Sequence, residues 1–177
     1  MLLELEGESL VRRAARRARD AGLSPVVVVL GHEFERVREQ LGGLSCDHVV
    51  NPDFTGPTSG SLHLGLRRLG ADADAAVIML GDMVHVSEPM LTALVTAARG
   101  SDAPLVVSRY GDVAAPPLLF RRPLFGELLS WTGEGCGKAV VQSHRNEAVF
   151  LDWSPGLLCD VDTPEDFQTA ATLIARS

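Results

Sequence analysis

Two uncharged aliphatic runs, PVVVVLG (25–31) and AAVIMLG (75–81), constrain this chain more than anything else in it. A strand with one face in water alternates apolar and polar residues, and these do not, so they read as strands buried on both faces. Each follows a stretch of helical periodicity. ESLVRRAARRARDAG puts Leu10, Val11, Ala14, Ala15, Ala18 and Ala21 on one face, with Gly22 placed to close the helix. EFERVREQL is a short helix, DHVVN a strand, GSLHLGLRRLG a helix, SEPMLTALVTAAR a helix with Ser87 as its cap, and PLVVSRY a strand. This βαβα rhythm predicts an α/β protein of three layers, α/β/α, with a mainly parallel sheet. After residue 110 the rhythm loosens. GDVAAPPLLF reads as turns ending in a short strand, PLLF; RRPLFGELLSW and GKAVVQSH read as helices, and EAVFLDW and GLLCDVD as strands. TPEDFQTAATLIARS closes the chain as a helix, with Thr163 as N-cap, Pro164 at the first helical position and Glu165 and Asp166 in the first turn.

The 177 residues show no linker, repeat or low-complexity segment, which predicts a single domain over 1–177. No apolar run approaches the roughly 20 residues of a membrane span, and the acidic MLLELEGESL does not resemble a signal peptide. A net charge of −7 argues against a nucleic-acid partner. Cys46, Cys136 and Cys159 have no metal-ligand spacing and are odd in number, so reduced thiols and a cytoplasmic location are expected.

VIMLGDMV (77–84) delivers one carboxylate, Asp82, at the end of a buried strand, behind Gly81. Ligands of open parallel sheets bind beyond the carboxyl ends of the strands. CDVDTPED repeats the grammar, and strand alternation puts Asp160 and Asp162 on one face and Val161 on the other. If the strand ends are neighbours, Asp82 with Asp160 or Asp162 can share a hard cation, and Mg2+ suits one or two carboxylates, water and phosphate oxygens. An Asp after a strand also serves as a turn or cap residue, and for Asp162 entry into the last helix is an equal alternative. NPDFTGPTSGSLHLGL (51–66) offers backbone N–H groups and hydroxyls near a helix start, as an anion site or as a plain loop. It lacks the Gly-Lys-Ser/Thr of a Walker loop.

Taken together, PVVVVLGHEFERVREQL, NPDF followed by LHLGL, VIMLGDMV, SRYGD, PLLFRRPLFGELLSW, GEGCGK and DVDTPEDF resemble the MobA-like NTP-transferase family over nearly the whole chain. Within it the resemblance is to the molybdenum cofactor cytidylyltransferases. The resemblance implies a Rossmann-like sheet and transfer of CMP or GMP from CTP or GTP to a phosphorylated small molecule, molybdopterin first of all, with release of pyrophosphate. It implies Mg2+ as the metal, Asp82 and Asp160 as catalytic ligands with Asp162 in support, and Thr58, Ser59, Gly60, Ser61 and Gly81 at the nucleotide. Lys138 would neutralise the second substrate's phosphate. A molybdoenzyme or its chaperone would be a partner, and no nucleic acid or membrane.

One departure is large. The family opens with a strand and a glycine-rich loop carrying an Arg and, shortly after, a Lys, whereas MLLELEGESL resembles the segment just beyond that Lys. With the first family strand missing, a gap is expected beside AAVIMLG. With the loop missing, little turnover is expected until the segment is restored, whether Met1 is an internal start or the chain is a non-catalytic nucleotide- or partner-binding paralogue. Transfer to a sugar or isoprenoid phosphate is a related alternative. Smaller departures are Ala115 and Pro116 in place of a family Gly, and His63 in place of an Arg.

Other residues read as structural. Arg12, Arg13, Arg16, Arg17 and Arg19 form a helix face expected to be solvated. His32 reads as a loop residue; His48, His85 and His144 lack metal spacing; Trp131 and Trp153 read as core or interface.

Overall fold

The computed structural model describes residues 1–158. Asp160, Asp162, most of the expected strand GLLCDVD and the helix from Thr163 lie outside the described residues. Glu4–Leu5 (β1) and Glu8–Ser9 (β2) form a small antiparallel hairpin. Then come Leu10–Asp20 (α1), Val27–Leu30 (β3), Phe34–Gln40 (α2), Asp47–Val50 (β4), Thr58–Arg68 (α3), Ala75–Ile78 (β5), Glu88–Arg99 (α4) and Leu105–Tyr110 (β6). Val113–Arg121 (β7), Phe125–Ser130 (α5), Cys136–Ser143 (α6) and Val149–Trp153 (β8) follow, with 3-10 turns at Arg122–Leu124 and Pro155–Leu157.

The sheet is in two parts. β3 and β4 pair in parallel, and β5-β7-β6-β8 form a four-stranded part in which β6 and β8 are parallel and β7 runs against both neighbours. Helices cover both faces. Val11 and Ala15 of α1 and Val37 of α2 pack with Leu30, while Met90, Leu91 and Leu94 of α4 pack with Val106 and Leu119 on the same side. On the other side Leu66 of α3, Phe125 and Leu128 of α5 and Val140 of α6 enclose Val107, Leu118 and Phe120. Side chains alternate along β6 and β7, so neighbouring residues feed opposite cores, which is why these strands are apolar throughout.

Three expectations need correction. The first helix starts at Leu10 rather than Glu8, because Glu6 and Gly7 take positive φ (55° and 78°) and turn Glu8–Ser9 back onto Glu4–Leu5. GDVAAPPLLF is not turn followed by short strand: Val113–Arg121 is a nine-residue strand. The ladder shifts between Val107 and Arg109, so Pro116 and Pro117 fall at an irregularity where a missing N–H breaks no regular bond. Gly156 and Leu157 belong to a 3-10 turn rather than to a strand.

Among the described residues, β3 pairs with no strand but β4 and β5 with none but β7, although β3 and β5 line one cavity. Among the described residues the gap expected beside AAVIMLG is present, between the β3-β4 pair and the four-stranded part. No helix among the described residues is long and apolar enough to cross a membrane.

Candidate functional site

At the carboxyl end of β3 and β4 the chain is held by Asn51, which is 5% exposed. Its N–H donates to the Leu30 carbonyl (2.7 Å), its Oδ1 accepts the Asp53 N–H (3.0 Å), and its Nδ2 donates to Ser61 Oγ (3.0 Å). One side chain thus fixes the NPDF turn and the first turn of α3 together. The N-cap position of α3 is Pro57, which has no side-chain donor or acceptor. The orphan groups of the helix start are met from elsewhere: Glu134 accepts from the Thr58 hydroxyl (2.7 Å) and from the Thr58 N–H (3.3 and 3.4 Å to its two oxygens). A carboxylate at that place is favoured by the helix dipole.

Beyond β5, Gly81 is closely covered; a Cβ there would lie 2.7 Å from Met1 Sδ. The loop that follows curls on itself, Val84 donating to the Asp82 carbonyl (2.9 Å) and Val86 to that of Met83 (3.2 Å). Arg17 clamps it from α1, donating from Nη1 to the carbonyls of Val84 (2.7 Å) and Val86 (2.6 Å). Burial, with Arg13 and Arg16 close by, pushes Arg17 down to about 10. His85 on the same loop is also lowered, by burial first and then by Arg17 and Arg13. Asp82 is half-buried, and its Oδ1 is buried without a hydrogen-bond partner among the described residues.

That orphaned oxygen fits a divalent cation, which takes one carboxylate, waters and a substrate's phosphate oxygens. No group of three or more His, Cys, Asp or Glu side chains suited to a metal occurs among the described residues.

Thr58, Ser59, Ser61, Gly81 and Lys138 line a single large cavity of about 1500 Å3, and Asp82 adjoins Gly81 in sequence. Lys138, in the first turn of α6, is the chain's one lysine. Gly60 does not line the cavity; a Cβ on it would stand 3.8 Å from Asn51 Nδ2. Ala115 and Pro116 line the cavity too.

The basic face of α1 is not merely solvated. Arg12 donates to the carbonyls of Gln40 (2.8 Å) and Gly42 (2.9 Å). Arg13, 7% exposed, pairs with Glu6 at 3.0 Å. Arg16 grips Glu8 with two bonds of 2.9 Å. Loop carbonyls and hairpin acids need donors, and each guanidinium carries several. His63 bonds the Leu128 carbonyl (2.9 Å), joining α3 to α5. Trp131 is 38% exposed and donates to the Glu134 carbonyl (3.1 Å), which steadies the turn that meets Thr58. Asn51, Glu134 and Arg17 are the contributors that sequence reasoning missed. NPDF and GEGCGK were noted as segments, but nothing local says which side chain of each reaches across.

The family model described as the MobA-like NTP transferase domain matches residues 1–149. Among solved structures, Rv0371c of Mycobacterium tuberculosis H37Rv in complex with manganese is 28% identical, with a TM-score of 0.82 over 97% of this chain and 90% of that one. A nucleotidyl transferase from Methanothermobacter is 22% identical, with a TM-score of 0.83 over 99% of this chain and 84% of that one. A CMP:2-keto-3-deoxy-manno-octonic acid synthetase complexed with CTP is 14% identical, with a TM-score of 0.74 over 99% and 91%. The last two likenesses speak for the fold alone. No curated protein matches the chain.

Proposed function

The chain belongs to the MobA-like NTP transferase domain family, and from that premise we propose that its site moves CMP or GMP from CTP or GTP to the phosphate of a small molecule, molybdopterin being the acceptor, with pyrophosphate as leaving group. The observation that carries the proposal is the orphaned, buried Oδ1 of Asp82 beside Gly81, which lines the same cavity as Thr58, Ser59, Ser61 and Lys138. The similar Rv0371c structure holds manganese, which supports a divalent metal here.

In this reading the α3 start, with Thr58, Ser59 and Ser61, binds the nucleoside. Gly81 lets the backbone come close, and Asp82 holds the cation, with Asp160 and Asp162 completing the shell. Bound Mg2+ would supply charge neutralisation for the phosphates. Lys138 faces the acceptor phosphate and offsets its charge. Each of these groups positions or neutralises, and no covalent intermediate is required.

A second reading is a nucleotide binder without catalysis, in which Lys138 of the GEGCGK turn and the α3 start hold the nucleotide. Calorimetry with CTP or GTP and Mg2+, followed by a pyrophosphate-release assay with molybdopterin, separates the two. Binding with slow release supports the transferase. Binding with no release at any enzyme concentration supports the binder. Binding of neither nucleotide overturns both.

A further inference from the structure

Glu134 is an exposed residue whose carboxylate is nonetheless held in one place. Gly133 and Gly135 flank it at φ 103° and 71°, a region that glycine enters without steric cost. The Glu134 carbonyl accepts from Trp131 Nε1 (3.1 Å), and the Gly135 carbonyl accepts the Ala139 N–H (2.9 Å), so the turn is tied to the end of α5 and to the start of α6. The side chain is fixed as well. Its Oε2 accepts the Thr58 hydroxyl at 2.7 Å, and the Thr58 nitrogen lies 3.3 Å from Oε1 and 3.4 Å from Oε2.

Charge decides what the α3 start can take. A helix presents roughly +0.5 elementary charge at its amino end, and one carboxylate outweighs that. Pro57, the N-cap, has no side chain that could take the Thr58 N–H in its place. Lys138, four residues after Glu134, forms no ion pair with it among the described residues, so the carboxylate is not neutralised from α6. The anion site that 51–66 could offer is thus filled from within the chain. A carboxylate has about four accepting positions. Thr58 uses one through its hydroxyl and shares its N–H between the two oxygens, which leaves accepting positions open to solvent. The place is closed to a phosphate and open to a hydroxyl or amino donor.

We infer that Glu134 is a specificity-determining residue of the proposed nucleotide site. Its carboxylate keeps phosphate groups away from the α3 start and accepts hydrogen bonds there from the uncharged nucleoside, from a ribose hydroxyl or an exocyclic amino group. The inference rests on the nucleotidyl-transfer reading, in which Thr58, Ser59 and Ser61 meet the nucleoside. A triphosphate has the same sign of charge as Glu134, so only the nucleoside end of CTP or GTP can approach, and the ligand is oriented by repulsion as well as by contact. Cytidine and guanosine both carry ribose hydroxyls and an exocyclic amino group. Glu134 therefore selects nucleoside over phosphate rather than one base over the other.

The test follows the NMR shifts of the Thr58 and Ser59 amides while cytidine, guanosine or inorganic phosphate is added to wild type, Glu134→Gln and Glu134→Ala. In wild type a nucleoside should move both amides saturably and inorganic phosphate should not. In the variants phosphate should move them, with an affinity raised about fivefold or more, because the repelling charge is gone. Nucleoside binding should weaken about tenfold in the same variants, through loss of a charge-assisted hydrogen bond. A residue that only caps the helix would lower Tm and change both ligands in the same direction. Glutamine keeps the shape and one accepting oxygen, so Glu134→Gln decides if Glu134→Ala does not fold. Phosphate binding at these amides as tight in wild type as in Glu134→Gln, or nucleoside binding unchanged in the variants, would overturn the inference. CTP and GTP with Mg2+ are titrated into wild type in parallel. If they bind and the variants show no opposite response to nucleoside and phosphate, this inference alone fails. If neither nucleotide nor nucleoside binds, the nucleotidyl-transfer reading fails first and takes the inference with it.

Discussion

Arg17 and Val84 are 67 residues apart in sequence, yet the Arg17 guanidinium donates to the Val84 carbonyl at 2.7 Å and, from the same nitrogen, to Val86 at 2.6 Å. Through this clamp α1 sets the course of the loop that carries Asp82. Replacing Arg17 by Met keeps much of the stem's packing and removes both bonds. Arg17→Met should cost about 2–4 kcal/mol in urea denaturation, since two carbonyls lose a charged donor. A cost within experimental error would show that water replaces the clamp without loss.

Asp82→Asn should weaken Mn2+ binding in the presence of CTP by about tenfold or more, read from the free-ion signal in electron paramagnetic resonance. Stability should change by about 1 kcal/mol or less, because the buried oxygen has no partner to lose among the described residues. Unchanged Mn2+ affinity would remove Asp82 from the proposed metal shell.

Lys138 provides a site-specific handle. With one lysine in the chain, amine acetylation read by mass spectrometry reports on it and on the N-terminus alone. The proposed arrangement predicts that a phosphorylated pterin acceptor slows acetylation of Lys138 by several-fold and that CTP alone slows it less. Equal rates with and without acceptor would place the acceptor's phosphate elsewhere.

A pH dependence follows from His144. Its protonated ring donates from Nε2 to Glu127 (2.7 Å) and from Nδ1 to Glu147 (3.0 Å), tying the end of α6 to α5. The bond to Glu127 and then that to Glu147 raise it above its ordinary 6.5. A raised value means that the folded state holds the proton more tightly. The stabilisation is complete below the unfolded value and is lost as pH rises through the folded one. The Tm difference between wild type and His144→Gln should therefore be largest near about pH 5.5 and fade by about pH 9. A difference that is flat across this range would mean that the ring acts through packing alone.

Much of this architecture is legible in order along the chain. The uncharged run 25–31 had to be a doubly covered strand, α1 had to lay Leu10, Val11, Ala15 and Ala18 on a core, and Asp82 had to stand beyond a strand end. Periodicity speaks clearly here because burial on a given face is decided within one or two turns or a few strand residues. Periodicity points to a helix from Gly60, and α3 begins two residues earlier, at Thr58.

The antiparallel course of β7, the Asn51 and Glu134 contacts and the engagement of the arginine face were not legible. Each depends on which distant segment ends up alongside: Thr58 meets Glu134 across 76 residues, and Arg12 meets Gln40 across 28. A hydrogen bond requires a partner within about 3 Å, and local sequence does not encode that proximity. By itself the sequence determined the kinds of elements, their buried faces and the carboxylate at the strand end. Only the tertiary structure decided the strand partners and the clamp on the Asp82 loop, because these are set by chain closure over long separations rather than by local periodicity.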